Sequence, residues 1–189
     1  MQIILNNHTQ GKIIEKAVSS LAKGGIIVYP SDTVYGIAVD ATNSSAIMSL
    51  DKLKRRRSEQ KYSFNFSSTA MISKYYRLSE KQDKVLSKYL PGPFTFILDK
   101  DLSVRIPKDC IITEIVLAFG KPVTATSANL SGEAPATNTK NLNAKIYLAA
   151  DLIIEDPDFN PHKPSTVVDI SGDNFKVLRK GELPFESIK

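Results

Sequence analysis

The stretch GGIIVYPSDTVYGIAVDA, residues 24–41, decides the fold. Residues 26–30 are mostly β-branched or aromatic and stop at a proline, which predicts a strand buried on both faces of a sheet. Residues 31–41 predict a tight turn that leads into a second strand. Before this stretch, apolar residues recur at helical spacing over 10–23, and the two glycines end the pattern as a C-terminal cap would. A helix therefore leads into a buried strand and its neighbour.

The alternation of helix and strand continues along the chain. Apolar residues at helical spacing, some with capping residues before them, predict helices over 42–55, 78–90, 111–120 and 141–150. Alternating or β-branched runs predict strands over 61–68, 94–98, 103–107, 122–128, 165–171 and 175–181. The last two form a predicted hairpin. This order predicts one domain, residues 1–189, of the α/β class, with helices packed on a central sheet.

Composition and charge exclude several classes of protein. The 189 residues are 42% hydrophobic and 24% charged, and the net charge of +5 permits an anionic partner. Cys110 is the only cysteine, and His8 and His162 are the only histidines, so an intrachain disulfide and a Cys/His zinc cluster are excluded. The N-terminus resembles no leader peptide, and no stretch reaches about 18 apolar residues. We therefore expect a cytoplasmic protein that does not enter a membrane.

Residues 51–61, DKLKRRRSEQK, hold six positive charges against two negative charges. Charge alone leaves three interpretations open: a nucleic-acid patch, a nuclear localisation signal, or a clamp for a small and densely charged anion. The cluster also closes the predicted helix 42–55, where cations favour the helix dipole. Other residues must decide between these interpretations.

Polar residues crowd the ends of two predicted core strands. SDTVYG, 31–36, follows the first buried strand, and VTATSANLSGEAPATN, 123–138, runs out of a later one. Hydroxyl and backbone N–H groups at such positions receive polar ligands in open α/β sheets, although they also cap turns. The sequence has no Walker A loop or G-x-G-x-x-G fingerprint, and Ser127 lacks the G-x-S-x-G setting of an acyl-transfer nucleophile. The polar loop 155–164 is either a lid or a plain surface loop.

Seven segments resemble one known family. They are YPSDTVYG, LKRR, PGPFTFIL, SVRIP, TSANLSG, PSTVVDI and VLRKG, and the match covers roughly residues 10–182. In this order and spacing they resemble the YrdC-like family of threonylcarbamoyl-AMP synthases, in its short, single-domain form. The resemblance implies a twisted, mixed central sheet with an open concave binding cleft.

The resemblance implies an ATP-dependent enzyme, a nucleotidyltransferase, that joins L-threonine and bicarbonate to AMP and releases pyrophosphate. Mg²⁺ would accompany ATP. The product would serve the threonylcarbamoyladenosine modification of tRNA through a downstream threonylcarbamoyl-transferase machinery, and a direct contact with tRNA stays open. The alternative is a YciO-like relative on the same fold that binds or processes RNA, with weak or no adenylate synthesis.

The family's motifs also imply roles by position, with Lys54 and Arg56 as the catalytic cations and no residue matched to a metal. The residues matched to ATP are Lys54, Arg56, Gln60, Ser127, Asn129 and Arg179. The residues matched to threonine are Thr33, Asn65, Arg105 and Ser165. Fixed cations suit a reaction that builds charge on phosphate, and an arginine suits a carboxylate. Asn65 stands where the family often has a histidine, and an asparagine can form hydrogen bonds but cannot titrate.

Overall fold

The computed structural model describes residues 1–56, 61–181 and 183–186. Within these ranges the strands are β1 (Gln2–Ile4), β2 (Ile27–Pro30), β3 (Tyr35–Ala38), β4 (Ser63–Asn65), β5 (Phe94–Ile97), β6 (Ser103–Arg105), β7 (Val123–Ser127), β8 (Leu152–Glu155), β9 (Thr166–Asp169) and β10 (Lys176–Arg179). The helices are α1 (Gln10–Ala22), α2 (Ser44–Lys54), α3 (Thr69–Ile72), α4 (Glu80–Tyr89), α5 (Ile111–Phe119) and α6 (Ala144–Ala149), and a 3-10 turn spans Thr139–Asn141.

The strands join one mixed sheet, in the order β1-β8-β2-β3-β7-β4-β6-β5-β9-β10. The pairs β1·β8, β2·β8, β4·β6 and β5·β9 are parallel, and the other neighbours are antiparallel. β10 is an outer strand whose four residues are all exposed. It pairs with β9, and the register is irregular between Val177 and Arg179.

The stretch 24–41 forms the centre of the fold. Gly24 follows the end of α1 with a φ of 77°, a conformation that glycine adopts without steric cost. β2 and β3 then pair as an antiparallel hairpin in which Tyr29 lies opposite Gly36. Every residue of both strands is buried. The predicted buried strand and its neighbour are confirmed.

Two apolar cores lie against opposite faces of the central strands, because successive residues of a strand point to opposite sides. Ile27 and Tyr29 belong to the larger core, which also contains residues of α1, α3, α4 and α5. Val28 belongs to the second core, with residues of α2 and α6. Helices thus pack on both faces, and each fully buried aliphatic side chain contributes about 1.5–3 kcal/mol.

The structure confirms the predicted α/β class, the mixed sheet and the closing β9–β10 hairpin. It also adds β1 and α3, which are three and four residues long and too short for a periodic pattern to reveal. The strand predicted over 61–68 is limited to Ser63–Asn65. Across the described ranges, no helix combines the length and the apolar character needed to span a bilayer.

Candidate functional site

An open cleft of about 370 Å³ lies over the sheet, with a lining drawn from β2 through β7, β9 and β10. This volume is in the usual range for small-molecule sites, which is about 300–1,000 Å³. Three described lining residues are cationic, namely Lys61, Arg105 and Arg179, and no described lining residue is a carboxylate. The predicted concave cleft is therefore present, and its charge favours an anionic ligand.

Small side chains in register form the floor of the cleft. Gly36 pairs with Ser127 across β3 and β7. Ser63 of β4 lies between Ala125 of β7 and Ser103 of β6. Paired residues place their side chains on the same face of a sheet. Because all five side chains are small, the face that they share leaves room for a ligand.

The turn after β2 presents Thr33 to the cleft. Ser31 Oγ donates to the carbonyl of Val34 at 2.6 Å and accepts from the N–H of Thr33 at 3.1 Å. These bonds fix the turn through its own serine, as Ser and Thr commonly do. Thr33 lines the cleft although it is only 1% exposed.

The loop 155–164 packs against the same turn. The N–H of His162 donates to the carbonyl of Thr33 at 2.7 Å. The N–H of Asp156 donates to the hydroxyl of Tyr35 at 3.0 Å, and the ring of Phe159 meets the Tyr35 ring edge-on with 4.9 Å between centroids. The loop is therefore a docked wall of the cleft, which its last residue lines.

Lys54 holds the loop that contains Ser127 and Asn129, the S-x-N motif that the family matches to ATP. It is the last residue of α2 and is buried, and its Nζ donates to the carbonyls of Ser127 at 2.6 Å and Asn129 at 2.7 Å. In return, the N–H of Ser131 donates to the carbonyl of Lys54 at 3.0 Å. Burial, and then the nearby charge of Arg56, lowers the pKa of Lys54 to about 8. The ammonium thus contacts the backbone of the motif.

The residue after this lysine redirects the chain. Arg55 caps α2 in the left-handed conformation with a φ of 53°, which turns Arg56 away from the helix axis. The Arg56 guanidinium lies 4.1 Å from the centroid of the Tyr62 ring and donates to the carbonyl of Lys61 at 2.6 Å. Tyr62 in turn donates to Asp51 at 2.8 Å. The planar guanidinium is therefore held by stacking and a hydrogen bond beside the cleft.

Two arginines, Arg105 and Arg179, line the cleft. Arg105 forms an ion pair with Asp32 at 2.7 Å, and Arg179 donates to both the carbonyl and the hydroxyl of Ser165 at 3.0 Å. Burial raises the pKa of Asp32, while Arg105 opposes that rise. Burial, followed by the charge of Arg105, lowers the pKa of Arg179. Because both guanidinium groups line the same cleft, an anion bound there would relieve the repulsion between them.

Asn65 lies under the cleft and contacts it through Tyr29. Its Nδ2 donates to the Tyr29 hydroxyl at 2.7 Å, whereas its buried Oδ1 has no hydrogen-bond partner among the described residues. Tyr29 lines the cleft but was not among the predicted site residues. In the sequence it reads only as one of several aromatic core residues. Its cross-strand neighbour Gly36 is the one signal that could have distinguished it.

The predicted site residues fall into two layers. The described lining includes Thr33, Arg105, Ser127, Ser165 and Arg179. Lys54, Arg56, Asn65 and Asn129 each bond to a lining residue from behind, the last by accepting from the Ser127 hydroxyl. Gln60 lies outside the described residues. The roles matched to these residues remain predictions, but nine of them meet in or next to one cleft.

Two other features, a second depression and the single cysteine, are not part of the candidate site. A depression of about 620 Å³ is lined by residues 73–80 and Asp83, which come from one helix start and the loop before it. None of its lining residues comes from the polar segments 31–36 and 123–138. Cys110 donates to the carbonyl of Pro30 at 3.0 Å, and burial raises the pKa of its thiol to about 12. The thiol therefore stays protonated and is not a nucleophile near neutral pH.

A family model described as telomere recombination, for Sua5, YciO and YrdC proteins, matches residues 19–181. The chain belongs to the Sua5/YciO/YrdC family. The resemblance based on the seven segments is thereby confirmed. Among curated proteins, this member of the family is 29% identical to the threonylcarbamoyl-AMP synthase of Klebsiella pneumoniae, over 75% of this chain and 83% of the relative. It is 27% identical to that of Vibrio cholerae, over 89% of this chain and 97% of the relative.

Solved structures of the Sua5/YciO/YrdC family share the fold. A double variant of P. abyssi Sua5 superposes with a TM-score of 0.86 at 25% identity, over 97% of this chain. This chain spans 61% of the length of that Sua5 chain. E. coli YciO superposes with a TM-score of 0.82 at 25% identity, over 96% of this chain and 94% of YciO. The predicted fold is confirmed.

Proposed function

We propose that this chain is an L-threonylcarbamoyladenylate synthase. It would join L-threonine, bicarbonate and ATP into threonylcarbamoyl-AMP and pyrophosphate, as a nucleotidyltransferase. The product would serve the N6-threonylcarbamoyladenosine modification of tRNA. The names of the V. cholerae and K. pneumoniae relatives, which match this chain at 27% and 29% identity, support the proposal.

The observation that carries the proposal is the meeting of two groups of residues at one cleft. Ser127 and Arg179, matched to ATP, line the same cleft as Thr33, Arg105 and Ser165, matched to threonine. A reaction between an amino-acid derivative and an α-phosphate requires both substrates in one space, and positioning them supplies much of the rate. A cleft that gathers both groups is suited to that reaction.

The charge of the cleft supports the same reaction. Lys61, Arg105 and Arg179 line it without a described carboxylate in the lining, while Asp101 and Asp32, which lie outside the lining, form ion pairs with Lys61 and Arg105. Three cations against two carboxylates leave a positive excess that favours a phosphate group. The Asp32 partner of Arg105 reduces the net charge around that guanidinium, which suits a single carboxylate better than a triphosphate.

The proposed chemistry has two bond-forming steps. The threonine amine adds to the carbon of bicarbonate with loss of water, which gives a carbamate. A carbamate oxygen then bonds to the α-phosphorus of ATP while the bond from that phosphorus to the bridging oxygen breaks, and pyrophosphate leaves with the electron pair. Negative charge grows on the α-phosphate and on pyrophosphate, so fixed cations and hydroxyl donors stabilise the transition state. This chemistry does not need a catalytic histidine.

Mg²⁺ would enter with ATP. The described residues contain no group of three or more His, Cys, Asp or Glu side chains placed to hold a metal ion, and the described lining offers hydroxyls instead of carboxylates. Mg²⁺ in nucleotide sites keeps several waters and binds largely to substrate phosphates. We expect Ser and Thr hydroxyls, such as Ser127, to be the protein groups nearest to it. When bound, the ion would neutralise charge on the phosphates.

The YciO-like alternative is not favoured. YciO shares the fold, but the curated relatives reported above bear the synthase name. This chain also holds the family's whole signature, Lys54 and Arg56 (K-x-R) with Ser127 and Asn129 (S-x-N), and the Lys54 hydrogen bonds join the two motifs. We expect the synthase to work in the cytoplasm and to pass its product to a threonylcarbamoyl-transferase machinery. A direct contact with tRNA stays open, and the cluster residues without an assigned role, Arg55, Arg57 and Lys61, are available for it; Arg57 lies outside the described ranges.

Pyrophosphate release tests the proposal directly. The purified chain is incubated with ATP, Mg²⁺, L-threonine and bicarbonate, beside a synthase of established activity. We expect release that requires all four components and stops when EDTA removes the metal. Absence of release above background, while the reference enzyme is active, would refute the proposal. Release without threonine would indicate an ATPase instead.

A matched pair of variants separates the cleft from the surface. Arg179→Ala removes a cleft cation, while Lys176→Ala removes an exposed cation from the same strand. Loss of a charge-assisted contact of about 1.5–3 kcal/mol predicts a fall in kcat/KM for ATP of roughly tenfold to a hundredfold for the first. The second should change it less than about twofold. Equal effects would contradict the placement of ATP in this cleft.

A further inference from the structure

The hydroxyl end of Tyr29 lies at the floor of the cleft. Most of the side chain belongs to the larger core and is 2% exposed, yet the residue lines the cleft. A Cβ atom placed on Gly36 would lie 2.5 Å from the Cζ atom of Tyr29 and 2.7 Å from its hydroxyl oxygen. The phenol end therefore rests on the bare backbone of Gly36, itself a floor residue. A larger residue at that position would displace the phenol.

Asn65 fixes the direction of the Tyr29 hydroxyl. Its amide Nδ2 donates to the phenol oxygen at 2.7 Å. A hydroxyl has one proton to donate and two lone pairs to accept with. Because Asn65 occupies one lone pair, the phenol proton is left for another acceptor. The Tyr29 hydroxyl donates to no acceptor among the described residues, and the neighbouring open space is the cleft.

The phenol is a neutral group beside charged ones. Burial, only partly opposed by Arg105, raises the pKa of Tyr29, so the phenol keeps its proton across the working pH range. Arg105 offers a guanidinium to the same cleft and is the natural partner for a carboxylate. A neutral donor next to it suits a neutral acceptor on the same ligand. On an amino-acid substrate such as threonine, the neutral polar group is the side-chain hydroxyl.

We propose that Tyr29 is a specificity-determining residue, whose hydroxyl donates a hydrogen bond to the side-chain hydroxyl of the amino-acid substrate, with Asn65 as its positioning residue. Ser165 is less suited to this contact because its hydroxyl already forms hydrogen bonds with the Thr95 hydroxyl at 2.8 Å and the Arg179 guanidinium at 3.0 Å. Thr33 is likewise engaged, with Ser31 at 3.2 Å. The inference rests on the proposed function, since it assumes that threonine is the amino acid bound.

The test compares L-threonine with L-2-aminobutyrate, which has the same skeleton without the hydroxyl. The measured quantity is the threonine preference, the ratio of kcat/KM for the two amino acids in pyrophosphate release. Tyr29→Phe keeps the ring and removes only the phenol oxygen. We expect it to lower kcat/KM for threonine roughly tenfold and to leave that for 2-aminobutyrate within about twofold. Tyr75→Phe, at an exposed tyrosine, should change neither value.

A second variant tests the positioning role of Asn65. Asn65→Asp has nearly the same shape, but its carboxylate can only accept, so it would draw the phenol proton away from the cleft. We expect the threonine preference to fall as far as in Tyr29→Phe, although a tyrosine hydrogen bond is still present. Effects of the new charge that act on both amino acids cancel in the ratio. If Asn65 only supports the fold, Asn65→Asp would leave the ratio unchanged.

Three results would overturn the inference: an equal loss for both amino acids in Tyr29→Phe, no loss for either, or an unchanged preference in Asn65→Asp. Failure of the proposed function is distinguishable, because the wild-type chain would then release no pyrophosphate with either amino acid. In that event calorimetric titration with L-threonine decides the matter. Binding of threonine that Tyr29→Phe weakens about tenfold, with 2-aminobutyrate unaffected, would support the contact, and absence of threonine binding would refute it.

Discussion

Replacing Lys54 by methionine should lower the activity of the protein strongly and its stability only slightly. Lys54→Met keeps the length and apolar stem of the side chain and removes the ammonium. In the structure that ammonium bonds to the carbonyls of Ser127 at 2.6 Å and Asn129 at 2.7 Å. Both carbonyls belong to the motif that the family matches to ATP. The substitution therefore releases the motif without emptying the buried space around the side chain.

The expected change in stability is small because two effects oppose each other. Charge-assisted hydrogen bonds contribute about 1.5–3 kcal/mol each, and the variant loses two of them. Burying the ammonium has the opposite sign: a pKa of about 8 in place of 10.5 corresponds to roughly 3 kcal/mol that disfavours the charged form. We expect the free energy of unfolding, measured with urea, to fall by less than about 3 kcal/mol.

The expected change in activity is large because Lys54 positions the motif and no opposing effect offsets the loss of that positioning. Loss of about 3 kcal/mol of positioning lowers kcat/KM for pyrophosphate release about a hundredfold. Lys52→Met is the matched control, since Lys52 is an exposed lysine in the last turn of the same helix. Its activity should stay within about twofold. Activity of Lys54→Met within about threefold of the wild type, in a folded protein, would refute the reasoning.

Three further predictions concern pH, the basic cluster and the floor of the cleft. Lys54 has a pKa of about 8 in the folded protein and 10.5 ordinarily, so the unfolded chain binds more protons between these values. The stability of the wild type relative to Lys54→Met, measured by urea unfolding, should therefore rise by about 2.5 kcal/mol from pH 7 to 10. Arg56→Ala should lower kcat/KM for ATP about tenfold or more, whereas Arg55→Ala should leave it mostly unchanged. Equal losses in the two variants would show that the roles assigned within the basic cluster are wrong. Gly36→Ala should destabilise the protein by about 1–3 kcal/mol in thermal unfolding because its methyl group meets the phenol below it, and the open site Gly172→Ala should change stability by less than about 0.5 kcal/mol.

Much of the fold could be predicted because its sheet carries a clear pattern. The hairpin over 24–41 is predictable from a glycine stop, two buried strands and a polar turn, and the structure has it at the centre of the sheet. β1 was missed because three residues carry no period, and its place beside β8 depends on contacts about 150 residues away. Long-range pairing of short strands leaves almost no local signal.

The sequence predicted which residues belong to the candidate site better than it predicted how they are arranged. Side-chain chemistry and the family resemblance brought Lys54, Ser127 and Asn129 together, and the structure joins them. The sequence did not indicate that the lysine bonds to backbone carbonyls. Every residue has a backbone carbonyl, and no side chain shows which carbonyl a lysine will bond to. Tyr29 was missed for a related reason: a buried aromatic residue looks the same whether its hydroxyl faces a core or a ligand.

The outer strand β10 makes the site depend on a local folding equilibrium. Arg179, one of the cleft cations, lies on this strand, which is exposed along its length and pairs only with β9 among the described strands. Edge strands with exposed hydrogen bonds open at a lower free energy than the core around them. Each such opening would withdraw a cation from the cleft while the rest of the protein stays native. Under the proposed function, each opening of β10 would therefore lower the fraction of molecules ready to bind nucleotide, and we expect amide hydrogen exchange of β10 to slow when ATP is added.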